Sequence, residues 1–249
     1  MRWDLLTSYT QRQSGLFTRA QAYICGYSAY QVRRRVQCGE WQQVLREVFA
    51  QTGTTITPGI RDRAATLGIE GAILAGPSAA RLHGAPTSDT RTYVFASTDN
   101  RLKVPQLIGL RCALDARDVI LLDDKFVTRR GRTTFDCLRL LPFDHAESLF
   151  DRVLRDKWTT YTEQVSYLRQ YTGMVGLTQV TRLLGRAKPG ARSAAERRFP
   201  TLLRQAGVCG WQANFPIGNY LVNGRTRWSP PAGRCFGSHG GIYTTNPCT

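Results

Sequence analysis

Thr18-Arg19-Ala20-Gln21-Ala22-Tyr23-Ile24-Cys25-Gly26-Tyr27-Ser28-Ala29-Tyr30-Gln31-Val32-Arg33-Arg34-Arg35-Val36-Gln37-Cys38-Gly39 is the stretch from which the fold is read. Thr18 and Gln21, and again Ser28 and Gln31, have the spacing of a capping box. In that motif the hydroxyl accepts from the third helical amide and the Gln side chain reaches back to the cap. Two helices are therefore expected, one closed at Gly26 and one running from Ser28 to about Cys38 and ending at Gly39, where glycine tolerates a left-handed turn. Val32 and Val36 are four apart and pin the second helix to a core. Tyr30, Arg33, Arg34 and Gln37 follow the i, i+3, i+4, i+7 rule onto the opposite side.

Upstream, Arg2 to Gln13 is weakly helical through Leu5, Leu6 and Tyr9. Downstream, Trp41, Val44, Val48 and Phe49 form a β-prone stretch that reads as a hairpin with its turn at Arg46-Glu47. Helix, short glycine turn, helix and hairpin is the layout of a winged helix-turn-helix. The second helix would lie in the major groove of double-stranded DNA, and the hairpin would rest on the backbone. Arginine forks suit guanine edges and phosphates, and glutamine suits adenine. The candidate DNA-contacting residues are Ser28, Tyr30, Arg33, Arg34, Arg35, Gln37 and Arg46.

Charge supports a polyanionic partner and divides unevenly. The 249 residues carry 34 Lys and Arg against 18 acids, a net of +16, and only 4 of the 34 are Lys. Residues 1–52 have 7 basic and 3 acidic side chains, residues 53–190 have 20 and 14, and residues 191–249 have 7 and 1. The single acid of the last block is Glu196, so residues 197–249 contain no carboxylate side chain. A hydrophobic content of 42% excludes wholesale disorder. No apolar run reaches the roughly 18 residues of a membrane span. Met1-Arg2-Trp3-Asp4 lacks the apolar core of a signal peptide. The seven cysteines are scattered and never spaced Cys-x-x-Cys, and His83, His145 and His239 lie far from close cysteine pairs, so neither a metal site nor a cofactor is expected. Reduced, mostly buried thiols in a cytoplasm follow.

Residues 53–187 are expected to form a mixed α/β domain, making the whole chain α+β. Thr57-Pro58 caps a helix through Leu67, and Gly76-Pro77-Ser78 opens another to His83. Strand-forming stretches are Thr92 to Ser97, Leu107 to Ala113, Val119 to Leu122 and Phe126 to Thr128. Thr133-Thr134 is expected to cap a helix to Leu141. Phe143 to Lys157, Thr162 to Tyr171 and Leu177 to Leu184 have helical patterns, and Lys188-Pro189-Gly190 reads as a linker. Asp115, Asp118, Asp123 and Asp124 read as surface turn acids, because no His, Ser or Lys is spaced to complete a catalytic site with them. His83 reads as a helix-end residue.

Two resemblances add to this. The elements from Leu16 to Ala22, Gly26-Tyr27-Ser28, Arg33-Arg34-Arg35-Val36, Gly39-Glu40-Trp41 and Val48-Phe49-Ala50 resemble the winged-helix domain of AbiEi-family antitoxins, regulators of type IV toxin–antitoxin systems. Leu74 to Gly84 and Thr133 to Leu138 are similar to the companion domain of those proteins, so the resemblance covers about residues 5–155. It implies a transcriptional regulator that represses its own operon and opposes a nucleotidyltransferase toxin without a stable complex. Ala191 to Phe199 and Leu202 to Gly207 instead resemble the opening helix of a very-short-patch-repair-like endonuclease. In that family the helix Glu, a Val-Asp and a Glu-Val-Asp-Gly strand hold magnesium. Here Asn223 stands where the first Asp belongs, the Glu-Val-Asp-Gly segment is missing, and Glu196 is the single candidate ligand left. Ser193-Ala194-Ala195-Glu196 is itself a capping box, and Pro200 interrupts the helix. Residues 191–222 are thus expected to be a remnant of the nuclease module without catalysis, followed by an irregular basic tail from 223 to 249. Either a frameshift after Val222 or a genuine DNA-touching tail accounts for that last stretch. A magnesium-dependent endonuclease using Glu196, or a degenerate product without function, stands as the alternative to the regulator.

Overall fold

The computed structural model describes residues 2–85, 87–96 and 106–187, and beyond them Leu202, Gln205, Ala206 and four short strands. The chain divides into two compact units, Met1–Ala194 and Ala195–Thr249. It is a mixed α and β protein.

The first unit begins with α1 (Trp3–Arg12), β1 (Leu16–Thr18), α2 (Arg19–Ile24), α3 (Ala29–Gln37), β2 (Trp41–Leu45) and β3 (Val48–Gln51). Both capping boxes form. Thr18 Oγ1 accepts from Gln21 N at 3.2 Å and Gln21 Oε1 accepts from Thr18 N at 2.8 Å. Ser28 and Gln31 repeat the pattern at 3.2 and 2.8 Å. Glu47 takes a φ of 63° at the hairpin turn. β1 pairs with β3 and makes an antiparallel sheet of order β1-β3-β2, a strand that the sequence pattern does not announce. Leu16 and Phe17 are fully buried there. Phe17, Trp41, Tyr27, Val32 and Phe49 make the core of this region, with the Phe17 ring edge-on to Trp41 at 4.7 Å.

The chain continues through α4 (Pro58–Gly68), β4 (Ile73–Leu74), α5 (Gly76–Leu82), β5 (Thr92–Phe95), β6 (Leu107–Leu110), a 3-10 turn at Ala116–Asp118, β7 (Val119–Leu122), β8 (Lys125–Thr128), α6 (Arg130–Leu140), α7 (Phe143–Arg155), α8 (Tyr161–Gln170) and α9 (Leu177–Arg186). The five strands run in the order β6-β5-β4-β8-β7. β5–β6 and β4–β8 are parallel, while β4–β5 and β7–β8 are antiparallel. Every residue of β5 is buried, because Val94 faces one apolar cluster and Tyr93 with Phe95 face another. Helices α6 to α9 close around Phe135, Leu138, Phe150, Val180 and Leu183.

The boundary at residue 52 marks a change of pattern without a gap in packing. Leu16, Leu45, Val48 and Ala50 share a cluster with Ala64, Ala65, Ile69 and Leu74. At Gly68 of α4 an added Cβ would lie 2.8 Å from Val48 Cγ2 and 3.2 Å from the Arg46 carbonyl oxygen. The helix thus seats directly on the β2–β3 turn.

Two expectations need correction. Thr133-Thr134 do not cap α6, which starts three residues earlier at Arg130. Thr133 Oγ1 donates to the Thr128 carbonyl at the end of β8 at 2.8 Å and Thr134 Oγ1 to that of Arg130 at 2.9 Å, so neither hydroxyl accepts from the amides that open the helix. Asp118 is not a surface turn acid. It is buried and accepts from Tyr167 Oη at 2.6 Å and Tyr171 Oη at 2.9 Å. Asp115, Asp123 and Asp124 do occupy turns, and Asp124 pairs with Arg63 at 2.7 Å. His83 ends α5, donating from Nε2 to the Thr128 carbonyl at 2.8 Å, and burial holds its pKa below the ordinary value.

In the second unit β9 (Trp211–Gln212) pairs with β12 (Arg225–Thr226), and β10 (Phe215–Ile217) with β11 (Tyr220–Val222), both antiparallel. Lys188-Pro189-Gly190, Glu196, Asn223 and residues 227–249 lie outside the described residues.

Candidate nucleic-acid interface

Helix α3 separates its side chains into three groups. Val32 is 1% exposed and anchors the helix, with Val36 half-buried beside it. Tyr30 is 65% exposed, Arg33 and Arg34 are exposed, and Gln37 follows them on the same face. No acid among the described residues pairs with Arg33 or Arg34. An unpaired guanidinium on a helix surface keeps its five donors available to an incoming acceptor.

Arg35 is placed differently, although it belongs to the same triple in the sequence. Its guanidinium stands over the Tyr27 ring at 5.3 Å and the Trp41 ring at 5.4 Å, and it pairs with Glu40 just past the end of the helix. This arrangement occupies both the charge and the flat face of the group, fixing α3 to β2. Sequence reasoning cannot separate it from Arg33 and Arg34, because Tyr27 and Trp41 are brought to it only by the fold.

Ser28 is committed to the cap, so its hydroxyl already accepts a backbone donor at the start of α3. Arg46 is exposed in the β2–β3 turn, and its neighbour Glu47 binds Arg19 at 2.6 Å. Arg19 also stands over Phe49 at 5.5 Å, tying the first residue of α2 to the hairpin. Sequence reasoning misses that clamp, for which an Arg directly after a helix cap and an acid in a turn are the only local signals. The hydrogen bond with Tyr23, with Glu47 adding to it, raises the Arg19 pKa further above its ordinary value.

Four arginines of the sheet region, Arg132, Arg139, Arg81 and Arg91, are instead held by acids. Arg132 is fully buried, with Nε 3.1 Å from Asp136 Oδ2, Nη1 donating to the Ala113 carbonyl at 3.1 Å, and its plane 4.3 Å from the Tyr171 ring. Arg139 Nε meets the other oxygen of Asp136 at 2.8 Å. Around α5, Arg81 holds the buried Asp62 by two donors at 3.0 Å, and Ser78 Oγ donates to Asp62 at 2.7 Å. Asp89 binds Arg91 at 2.6 Å and Tyr93 Oη at 2.7 Å. Of the polar residues in the two motifs quoted for the companion-domain resemblance, Ser78, Arg81 and Asp136 lie in these internal networks.

Among the described residues no group of three or more His, Cys, Asp or Glu side chains converges as a metal site, and no helix is long and apolar enough to cross a membrane. Cys25 and Cys137 are buried thiols and Cys112 is half-buried, whereas Cys38 at the end of α3 is exposed. The candidate Glu196 falls outside the described residues. A comparison with known protein families finds no match, and a search of curated proteins finds none either.

Proposed function

We propose that the chain is a sequence-specific double-stranded-DNA-binding regulator of the winged helix-turn-helix kind, with α2 and α3 as the helix pair and β2–β3 as the wing. The observation that carries it is the face of α3. Tyr30, Arg33 and Arg34 are exposed together with Gln37 beside them, on a helix whose other side is pinned by Val32 and Arg35. Structural arginines find acids or rings, as Arg132 and Arg139 of α6 do. Two arginines left open on a helix face that also carries Tyr30 and Gln37 at helical spacing have the form of a groove-reading surface. Arg33, Arg34 and Gln37 reach base edges or adjacent phosphates, Tyr30 adds an aromatic contact, and Arg46 lies against the backbone of the duplex. Arg35 and Ser28 hold the helix in place.

The resemblance to AbiEi-type antitoxins extends this reading to repression of the protein's own operon and to opposition of a nucleotidyltransferase toxin. The endonuclease-like remnant contributes no chemistry to it. The test is fluorescence anisotropy on a labelled duplex taken from upstream of its own gene, titrated at several salt concentrations. Each phosphate that a protein cation neutralises adds about one to the salt slope. The Arg33→Ala, Arg34→Ala double variant should therefore flatten it by about one to two units. An unchanged slope would remove α3 from the interface.

A further inference from the structure

The free edge of the five-stranded sheet carries an inference that rests on the sheet alone and stands whether or not α3 meets DNA. Natural edge strands are blunted by charge, proline, bulges or a covering element. β7 reads Val119-Ile120-Leu121-Leu122, with no charge, no proline and no glycine. Among the described residues it pairs only with β8, in unbroken register from Val119↔Thr128 to Leu122↔Lys125. Leu121 is 64% exposed, and its cross-strand partner Phe126 is 53% exposed.

The turn fixes which backbone groups face outward. Asp123 and Asp124 have φ of 46° and 53°, the double left-handed geometry of a two-residue hairpin, so Leu122 and Lys125 form a hydrogen-bonded pair. Pairs then alternate along an antiparallel ladder. The Arg129 N to Asp118 O bond at 2.7 Å, four residues back, has the parity this requires. The N–H and C=O of Leu121 and the C=O of Val119 therefore point away from β8, while Val119 N–H is used by the Ala116 carbonyl.

We infer that β7 is the interface of a twofold homodimer, pairing antiparallel with β7 of a second copy about Ile120. In that register Leu121 N–H of each copy donates to the Val119 carbonyl of the other. The flanking charges choose it among the neighbouring registers of correct parity. Centred on Ile120, Arg117 lies opposite the second copy's Asp123. Centred on Leu121, Arg117 would face Lys125; centred on Val119, Asp115 would face Asp123. Both alternatives set like charges together. Arg117 is 85% exposed even though it pairs with Asp115 of its own chain at 2.7 Å, and the side chain of Asp123 is exposed without a partner among the described residues. The surface is self-complementary, as an isologous contact must be, and the dimer joins two sheets into one of ten strands bearing two copies of α3.

Sedimentation equilibrium of the full chain across the micromolar range tests this. The expected result is a reversible dimer of the 27.9 kDa chain, weakened by added salt. Leu121→Lys, at an exposed position that leaves circular dichroism and thermal midpoint unchanged, should raise the dissociation constant by about tenfold or more. Asp123→Asn, which tolerates the left-handed turn, should raise it several-fold and remove most of the salt dependence. A chain that stays monomeric throughout overturns the inference, as does a Leu121→Lys variant that dimerises like the parent. Slow hydrogen exchange at the Leu121 amide in a monomer also overturns it, because another segment of the chain would then cover the edge.

Discussion

Helices α3 and α6 each carry three arginines and use them in opposite ways. In α6, Arg132 and Arg139 stand four residues before and three after Asp136, so both guanidinium groups converge on one buried carboxylate. In α3 there is no acid at any such spacing, and Arg33 and Arg34 remain in solvent. The same residue type is thus a core component beside the buried Asp136 of α6 and an exposed one on the acid-free face of α3. A count of arginines, or the net charge of +16, cannot tell these uses apart.

The contrast can be broken most severely at Arg132. Arg132→Ala leaves Asp136 short of a partner in a buried site and should cost about 3–5 kcal/mol in urea unfolding. Arg132→Met, of similar volume, restores the packing but leaves Asp118 and Asp136 equally short of this cation, so it should recover only about 1–2 kcal/mol of that loss. Equal losses of stability in the two variants would mean that the charge itself is indispensable.

The second buried network predicts a pH effect. Burial works against the Asp89 carboxylate, but hydrogen bonds from Arg91 and Tyr93 outweigh it and hold the carboxyl down at about 2. A folded pKa below the unfolded one stabilises the protein above the ordinary carboxyl range, and the benefit is lost as pH falls from about 4 toward 2. Asp89→Asn should therefore flatten the acid limb of a thermal-midpoint profile in that window and lower the midpoint at neutral pH.

Arg35 lies between the two classes and sharpens the comparison. Its stacking on Tyr27 and Trp41 and its pairing with Glu40 are half-exposed, so Arg35→Ala should cost about 1 kcal/mol in thermal unfolding. Smallest of all is the stability effect of Arg33→Ala with Arg34→Ala, expected within about 0.5 kcal/mol of the parent because no described acid or ring holds either group. A large destabilisation there would show that these arginines serve the fold and would erase the distinction between the helices.

The legible parts of this molecule are those fixed by neighbours in the chain. Thr18, Gln21, Ser28 and Gln31 announce two helix starts because a capping box is complete within four residues. Val32 against Tyr30, Arg33, Arg34 and Gln37 announces a buried and an open face by helical spacing alone. β1 and β4 escape because three and two residues are too few to show alternation. Asp118 passes for a turn acid since the tyrosines that bury it arrive from 49 and 53 residues further along. Thr133 and Thr134 imitate a cap in sequence, yet Arg130 and Gly131 already continue the helix backward against α8. The role of Arg35 depends on rings from outside its own helix, and no spacing rule reaches them.

The close approach at Gly68 carries a mechanical consequence. Where hairpin and helix touch at glycine distance, any side chain at residue 68 would have to displace the Val48 methyl and the Arg46 carbonyl. The hairpin tip bearing Arg46 is therefore geared to α4, and α3 is locked to the same hairpin through Trp41 and Arg35. On the proposed reading, the two prongs that would straddle a duplex keep a fixed span. On that same reading, a span set by this packing would make groove width part of what is selected, beside the base edges.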